Sequence, residues 1–369
     1  MSEQRVRYAV VGLGYIGQIA VLPAFAHAKE NSELRALVSG DPDKLARLGE
    51  QYGVGGLYGY DQFEECLDSG DVDAVYIALP NHLHRQYAVA AARKGIHVLC
   101  EKPMAVTEEE CEQMIEAARS NRIRLMIAYR LHFEKANLKA IEIARSGKLG
   151  ELRIFDSLFT MQVRDEGNIR LKSDTGGGPL YDIGIYCINA ARSLFRREPL
   201  EVFAWSASRS QKRFREVDEM TSVLMRFPEE CLASFTASFG ASDLGFYQIV
   251  GTKGDLRVDP AYEYAGELRH ILRVEQKTRR RTFAKRDQFG PELVYFSDCV
   301  RKGREPEPSG TEGLADVRVI RAALESARTS RPVRLGSLRG VERPDPDQEI
   351  HRSPVEEPEL VEVETPSED

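Results

Sequence analysis

The stretch that most constrains this chain is Gly12-Leu13-Gly14-Tyr15-Ile16-Gly17, because of what flanks it. An apolar run, Arg5–Val11, comes directly before it, and a helical pattern follows. Between a strand and a helix, the first glycine permits a tight turn. The second lets main chain approach a pyrophosphate, and the third lets helix and strand pack closely. The helix N-terminus then offers free N–H groups and the positive end of its dipole to phosphates. In other settings the same spacing is a plain glycine turn. Inside a βαβ unit it predicts a dinucleotide-binding parallel sheet.

The next hundred residues keep that alternation. Leu34–Val38, Asp73–Leu79, Ile96–Cys100 and Arg124–Ala128 read as strands. Asp41-Pro42 opens one intervening helix as N-cap and first helical residue. Thr107 and Glu110 form a capping box for another, running through Arg119. Beyond about residue 127 the pattern changes. Strand patterns at 152–161, 200–208, 219–227, 231–239, 245–250 and 267–274 are joined largely by short turns. Helical patterns lie at 133–146, 180–195, 291–302 and 312–329. The fold class is therefore α/β. A doubly wound parallel sheet occupies 1–126, and an α/β domain with a largely antiparallel sheet occupies 127–340.

Residues 341–369 hold eleven carboxylates against two arginines. The whole chain carries −7, so the first 340 residues sum to about +2. This proline-rich tail is poor in aromatics and is expected to be disordered. No run approaches a membrane span. A strand pattern begins almost at once, with no signal peptide ahead of it, and six scattered cysteines show neither CxxC nor metal spacing. These features suggest reduced thiols in a cytoplasmic protein that binds no membrane and no metal. Arg279-Arg280-Arg281 is short and has little aromatic interleaving, so it reads as a solvated strand edge or loop and not as a nucleic-acid contact.

Three further segments carry candidate chemistry. An NAD site usually places a carboxylate at the end of the second strand, on the ribose hydroxyl. Here that position is Ser39, with Lys44 a turn further on. A missing carboxylate and an added cation favour NADP(H), with NAD(H) as the second choice and Asp41 tempering it. Glu101-Lys102-Pro103 follows a buried parallel strand, whose carboxyl end faces the ligand crevice. Gly176-Gly177-Gly178-Pro179 precedes a helix with Asp182 and Tyr186 four apart on one face. A local cap and a core tyrosine would give the same spacing, and a surface lysine would also suit the βα loop.

In order along the chain, VVGLGYIG, ALVSGDPDK, DAVYIALPNHLH, GIHVLCEKPMA, IAYRLHFE and GGGPLYDIGIY resemble the Gfo/Idh/MocA oxidoreductases, most of all the glucose–fructose oxidoreductase branch. The resemblance spans roughly 5–335 and implies a dinucleotide-binding Rossmann domain over 1–126 and a substrate-binding and oligomerisation domain with a large, mostly antiparallel open sheet over 127–340. It implies catalytic roles for Lys102, Asp182 and Tyr186, with Tyr186 where most members carry His. It implies that Gly12, Leu13, Gly14, Tyr15, Ile16, Gly17, Ser39, Lys44, Leu79, Pro80, Asn81, His84, Glu101, Lys102 and Arg130 border the cofactor. Lys102, Arg170, Asp182 and Tyr186 would meet a sugar, and the Lys102–Pro103 peptide would be cis. Ile169-Arg170 departs from the Trp-Arg of many relatives, so one wall of the substrate site differs. The implied activity is hydride transfer between NADP(H) and a sugar, in a homodimer or homotetramer. A Tyr186 phenolate, favoured by a nearby Lys102 ammonium, would take the hydroxyl proton. Reduction of a keto or anhydro sugar would use the same residues, and a dinucleotide-sensing regulator is the non-enzyme reading.

Overall fold

The computed structural model describes residues 5–209, 212–338 and 340–363. It contains two sheets. The first is six-stranded and wholly parallel: β1 (Val6–Val11), β2 (Ser32–Val38), β3 (Gly56–Tyr58), β4 (Ala74–Ile77), β5 (His97–Glu101) and β6 (Leu125–Ala128), in spatial order 3-2-1-4-5-6. Every residue of β4 and β6 is buried, as a parallel sheet covered on both faces requires. The predicted caps are present. The Asp41 carboxylate accepts from the Lys44 amide at 3.0 Å, and Thr107 and Glu110 cap each other. The short β3 and the helix Phe63–Asp68 had no clear sequence signal. Gly55-Gly56 and Gly59 interrupt the apolar pattern there.

The second sheet has nine strands: β7 (Leu152–Gln162), β8 (Glu201–Ala207), β9 (Met220–Phe227), β10 (Cys231–Ser238), β11 (Gly240–Gly251), β12 (Gly254–Val258), β13 (Leu268–Val274), β14 (Lys277–Phe283) and β15 (Val333–Arg334). Their spatial order is 14-13-12-11-7-10-9-8-15, and every pair is antiparallel except β7–β10. The helix Ile185–Phe195 covers its inner face. The Arg279–Arg281 run lies on β14, an exposed edge strand.

Chain order and packing part company near the C-terminus. The helix Gly290–Lys302 returns to the first sheet, where the Ser297 hydroxyl bonds both Tyr8 and Ser32 at 2.7 Å. The helix Gly310–Thr329 packs against β8 and against the helix Glu108–Ser120. Among the described residues no helix is long and apolar enough to cross a membrane.

The expectation of a disordered tail does not match residues 340–363. Asp345 pairs with Arg145 at 3.1 Å, and Glu349 pairs with Lys135 at 3.1 Å and Arg286 at 3.0 Å. Arg352 donates to the His27 carbonyl at 2.7 Å, and Val361 is buried. Composition measured what the tail could bury by itself. It missed that the body supplies complementary cations and one apolar seat. The end of the tail, 364–369, lies outside the described residues.

Candidate active site

A cleft of about 660 Å³ runs between the carboxyl ends of the parallel strands and the inner face of the second sheet. That crevice is where open α/β sheets hold ligands, and the volume suits a dinucleotide with a small co-substrate. Gly12, Leu13, Gly14, Tyr15 and Ile16 line one end. Gly12 has φ +99°, and a Cβ there would lie 2.4 Å from the Ala78 carbonyl oxygen. Gly14 faces open space, with no atom within 4 Å of a would-be Cβ. A side chain at 14 would fill the volume a pyrophosphate needs. These two glycines and the helix behind them fit the dinucleotide that the motif predicts. Gly17, a turn further on, packs against Gly12 and is not on the cleft wall.

Ser39 and Lys44 lie together at the same end, joined by Tyr60. Tyr60 follows β3, the strand that sequence missed, so its place was hidden too. Ser39 Oγ accepts from the Asp41 amide at 3.3 Å, and Lys44 Nζ lies 3.8 Å from Asp41. Leu79, Pro80, Asn81 and Glu101 form the middle of the wall. Asn81 also donates to the Gly176 carbonyl at 2.8 Å, tying the two loops together.

His84 falls elsewhere. It is fully buried behind the wall, its ring nitrogens 2.9 Å from the Pro103 oxygen and 2.8 Å from the Leu79 oxygen. Burial pushes its pKa down. It braces the two loops that carry Leu79 and Lys102 and does not line the cleft. His82 bonds Thr175 and is likewise off the wall.

At the other end Lys102, Arg170, Asp182 and Tyr186 converge. Lys102 Nζ donates to the Asp182 main-chain oxygen at 2.7 Å and to its carboxylate at 3.2 Å. Arg170 donates to the other carboxylate oxygen at 2.6 Å. Burial alone would raise the Asp182 pKa; the Arg170 and Lys102 charges outweigh it and hold the group well below the usual carboxylate range. Burial alone would likewise lower the Lys102 pKa, and Tyr186, Asp182 and Glu101 reverse that and raise it. Both groups are therefore charged at neutral pH. The sequence suggested a regular helix here. Instead the turn Leu180–Gly184 is a π-helix, and the α-helix starts at Ile185. Such wide turns are frequent at functional sites, and here the Asp182 carbonyl is turned to Lys102.

Tyr186 sits between two cations. Lys102 Nζ lies 4.9 Å from the ring centroid and the Arg130 guanidinium 5.0 Å. Arg130, expected at the cofactor, donates its Nε to the Tyr186 hydroxyl at 3.3 Å. Its remaining nitrogens are held by Gln288 and the Tyr262 carbonyl. The donor on the phenol oxygen is thus Arg130, while Lys102 acts on the ring. Phe159, Tyr262 and Tyr264 complete the cleft on the second-sheet side. Phe159 and Tyr262 stack with centroids 4.9 Å apart. No local spacing marks these three; they arrive through long-range folding of β7 and the loop after β12.

A dinucleotide-shaped cleft that ends in a phenol, an ammonium and a carboxylate defines a nicotinamide-dependent oxidoreductase. Residues 6–129 match the Gfo/Idh/MocA oxidoreductase family, NAD-binding Rossmann fold, and residues 137–257 match the Gfo/Idh/MocA C-terminal domain. The chain belongs to this family. It is 34% identical over 341 residues to a D-xylose 1-dehydrogenase [NADP(+)] of Haloarcula marismortui, covering 90% of this chain and 94% of that one. An aldose-aldose oxidoreductase from Caulobacter crescentus, solved with glycerol, has TM-score 0.86 and 39% identity over 90% of this chain and all of that one. A 3-ketoreductase from Actinomadura kijaniata, solved with NADP and TDP-benzene, has TM-score 0.79 and 27% identity over 87% of this chain and 98% of that one.

Proposed function

We propose that this oxidoreductase moves a hydride between NADP(H) and an aldose. One observation carries the reading: the Tyr186 phenol is held between the Lys102 and Arg130 cations, with Asp182 beside it in the same cleft. In the oxidative direction Tyr186 takes the proton of a sugar hydroxyl. Arg130 and Lys102 face the negative charge that the Tyr186 phenolate carries before it takes that proton and becomes a neutral phenol. Asp182, ionised and fixed by two cations, accepts from a neighbouring hydroxyl and orients the ring. Phe159 and Tyr262 offer apolar faces, and Arg170 a polar edge. The nicotinamide supplies the hydride acceptor. Lys44 and Ser39, with no carboxylate at the second strand's end, support NADP over NAD. The first sheet would hold the dinucleotide, the second the sugar.

The test is direct. Purified protein is given NADP⁺ or NAD⁺ with a panel of aldoses, and the absorbance of the reduced nicotinamide is followed. Faster reduction with NADP⁺ and one or a few aldoses is expected. Absence of reduction with every aldose, together with oxidation of NADPH by a keto sugar, would replace this reading with the reductase one.

The outward face of the second sheet supports self-association. Trp205 (67% exposed), Ile154 (50%), Leu224 and Leu232 stand on adjacent strands there, with Ile154 paired to Leu232. A second copy of this chain is the proposed occupant, giving a dimer or tetramer. A monomeric mass in light scattering would reject it. Six unpaired, buried cysteines support a reducing, cytoplasmic setting.

A further inference from the structure

The described part of the tail reaches the cleft. Glu362 and Val363 line the same cavity as Gly12–Ile16. The residue before them is fastened from both sides. Gln18, buried in the helix behind the glycine turn, accepts from the Val361 amide at 2.7 Å and donates to the Val361 carbonyl at 2.9 Å. The same Gln18 nitrogen donates to the Leu13 carbonyl at 2.8 Å, inside the phosphate-binding turn. One side-chain amide therefore couples the tail to that turn. A buried amide left unpartnered is unfavourable, so Gln18 favours the docked tail. The Val361 side chain is buried in the cluster that contains Leu13. Glu359 and Glu362 approach Arg47 at 3.9 Å and 4.0 Å, on the helix Pro42–Tyr52 that also carries Lys44. Upstream, Gln348 bonds Glu307 and Arg352 bonds the His27 carbonyl, so the tail is held along its course.

We propose that residues 358–363 form the outer wall of the dinucleotide site and set how long a bound dinucleotide stays. This rests on the dinucleotide reading above. A ligand lying along Gly12–Ile16 is enclosed by the Glu362–Val363 segment, and its departure requires Val361 to leave Gln18. Nothing in the sequence pattern assigned this segment to the site.

The test uses NADPH fluorescence. NADPH is bound to the full chain and chased with excess NADP⁺ in a stopped-flow instrument. The same is done with a chain ending at Glu357 and with full-length Val361→Glu, each first checked for an unchanged melting temperature of the body. Release at least tenfold faster in Val361→Glu, and in the shortened chain, is the expected result. Unchanged release in Val361→Glu would overturn the proposal. Slower release or tighter binding would overturn it too, since the segment would then be a competitor for the site. If the full chain holds no NADPH at all, the dinucleotide reading and the wall fall together; if it holds NADPH and release does not change, the wall alone falls.

Discussion

One helical stretch, Leu180–Phe195, feeds two ionic clusters, and they are built differently. Its start gives Asp182 and Tyr186 to the cleft. Its end gives Asn189 and Arg192 to a cluster within the core. There Arg192, with no exposure, donates to Glu198 at 2.8 Å and Glu312 at 3.0 Å and also bonds Asp316. Asn189 donates to Asp316 at 2.9 Å and faces His132, which is held in turn by Glu307. Burial would raise the Glu198 pKa, but Arg192 outweighs it and pulls the group down to about 2. This second cluster is buried at Arg192, Glu312 and Asp316, and Arg343 adds a second cation to Glu198 and Glu312. The first stays open: Arg130 spends one nitrogen on Tyr186, and the phenol and Asp182 remain part-exposed on the cleft. Charges that find all their partners within the protein hold a fold. Charges that leave capacity facing a cavity are available to a substrate.

The largest effect should come from opening the buried cluster. Arg192→Met leaves Glu312 and Asp316 without their main cation, and breaking a buried pair costs about 3–5 kcal/mol. Chemical denaturation should show that loss, with whatever folded protein remains still binding NADPH. A change below about 1 kcal/mol would mean the cluster is not structural.

The mirror experiment is Lys102→Met. It should lower kcat by roughly 10²–10³-fold, as for loss of one charge-stabilising group, while stability shifts little. A loss confined to KM would assign Lys102 to binding alone.

Glu292 sharpens the comparison from a third place. It is fully buried behind the cleft, and among the described residues neither carboxylate oxygen has a partner. Burial first, then the nearby Glu101 charge, pushes its pKa well up. A carboxyl with a raised folded pKa contributes stability that is present below its unfolded value near pH 4.3 and is lost as pH rises. Glu292→Gln should therefore be more stable than the parent at pH 8, on the order of 1–3 kcal/mol. The gap should close toward pH 4. Melting curves that differ equally at both pH values would show that Glu292 is not the titrating group.

Sequence made the scaffold legible where the signal is local. The glycine turn, the Asp41 and Thr107 caps and the long apolar strands all depend on neighbours within a few residues. Lys102, Asp182 and Tyr186 were legible as types at strand and helix ends and Arg170 through the family resemblance, and the structure brings all four to one end of the cleft. What escaped depends on distant partners. Arg130 reads as a cofactor-wall residue until the fold also sets its Nε on the Tyr186 hydroxyl. His84 reads as a cleft residue until both its nitrogens are seen on main-chain oxygens. The tail reads as unpairable until Arg145, Lys135, Arg286 and Gln18 meet it.

The most direct test of the open cluster is Tyr186→Phe, which removes one oxygen and little packing. Hydride transfer from the active aldose to bound NADP⁺ is measured in a single turnover, beside NADPH affinity and melting temperature. The account predicts affinity and melting close to the parent and a transfer rate lower by about 10³-fold. A Tyr186→Phe enzyme that transfers hydride at the parental rate would contradict it.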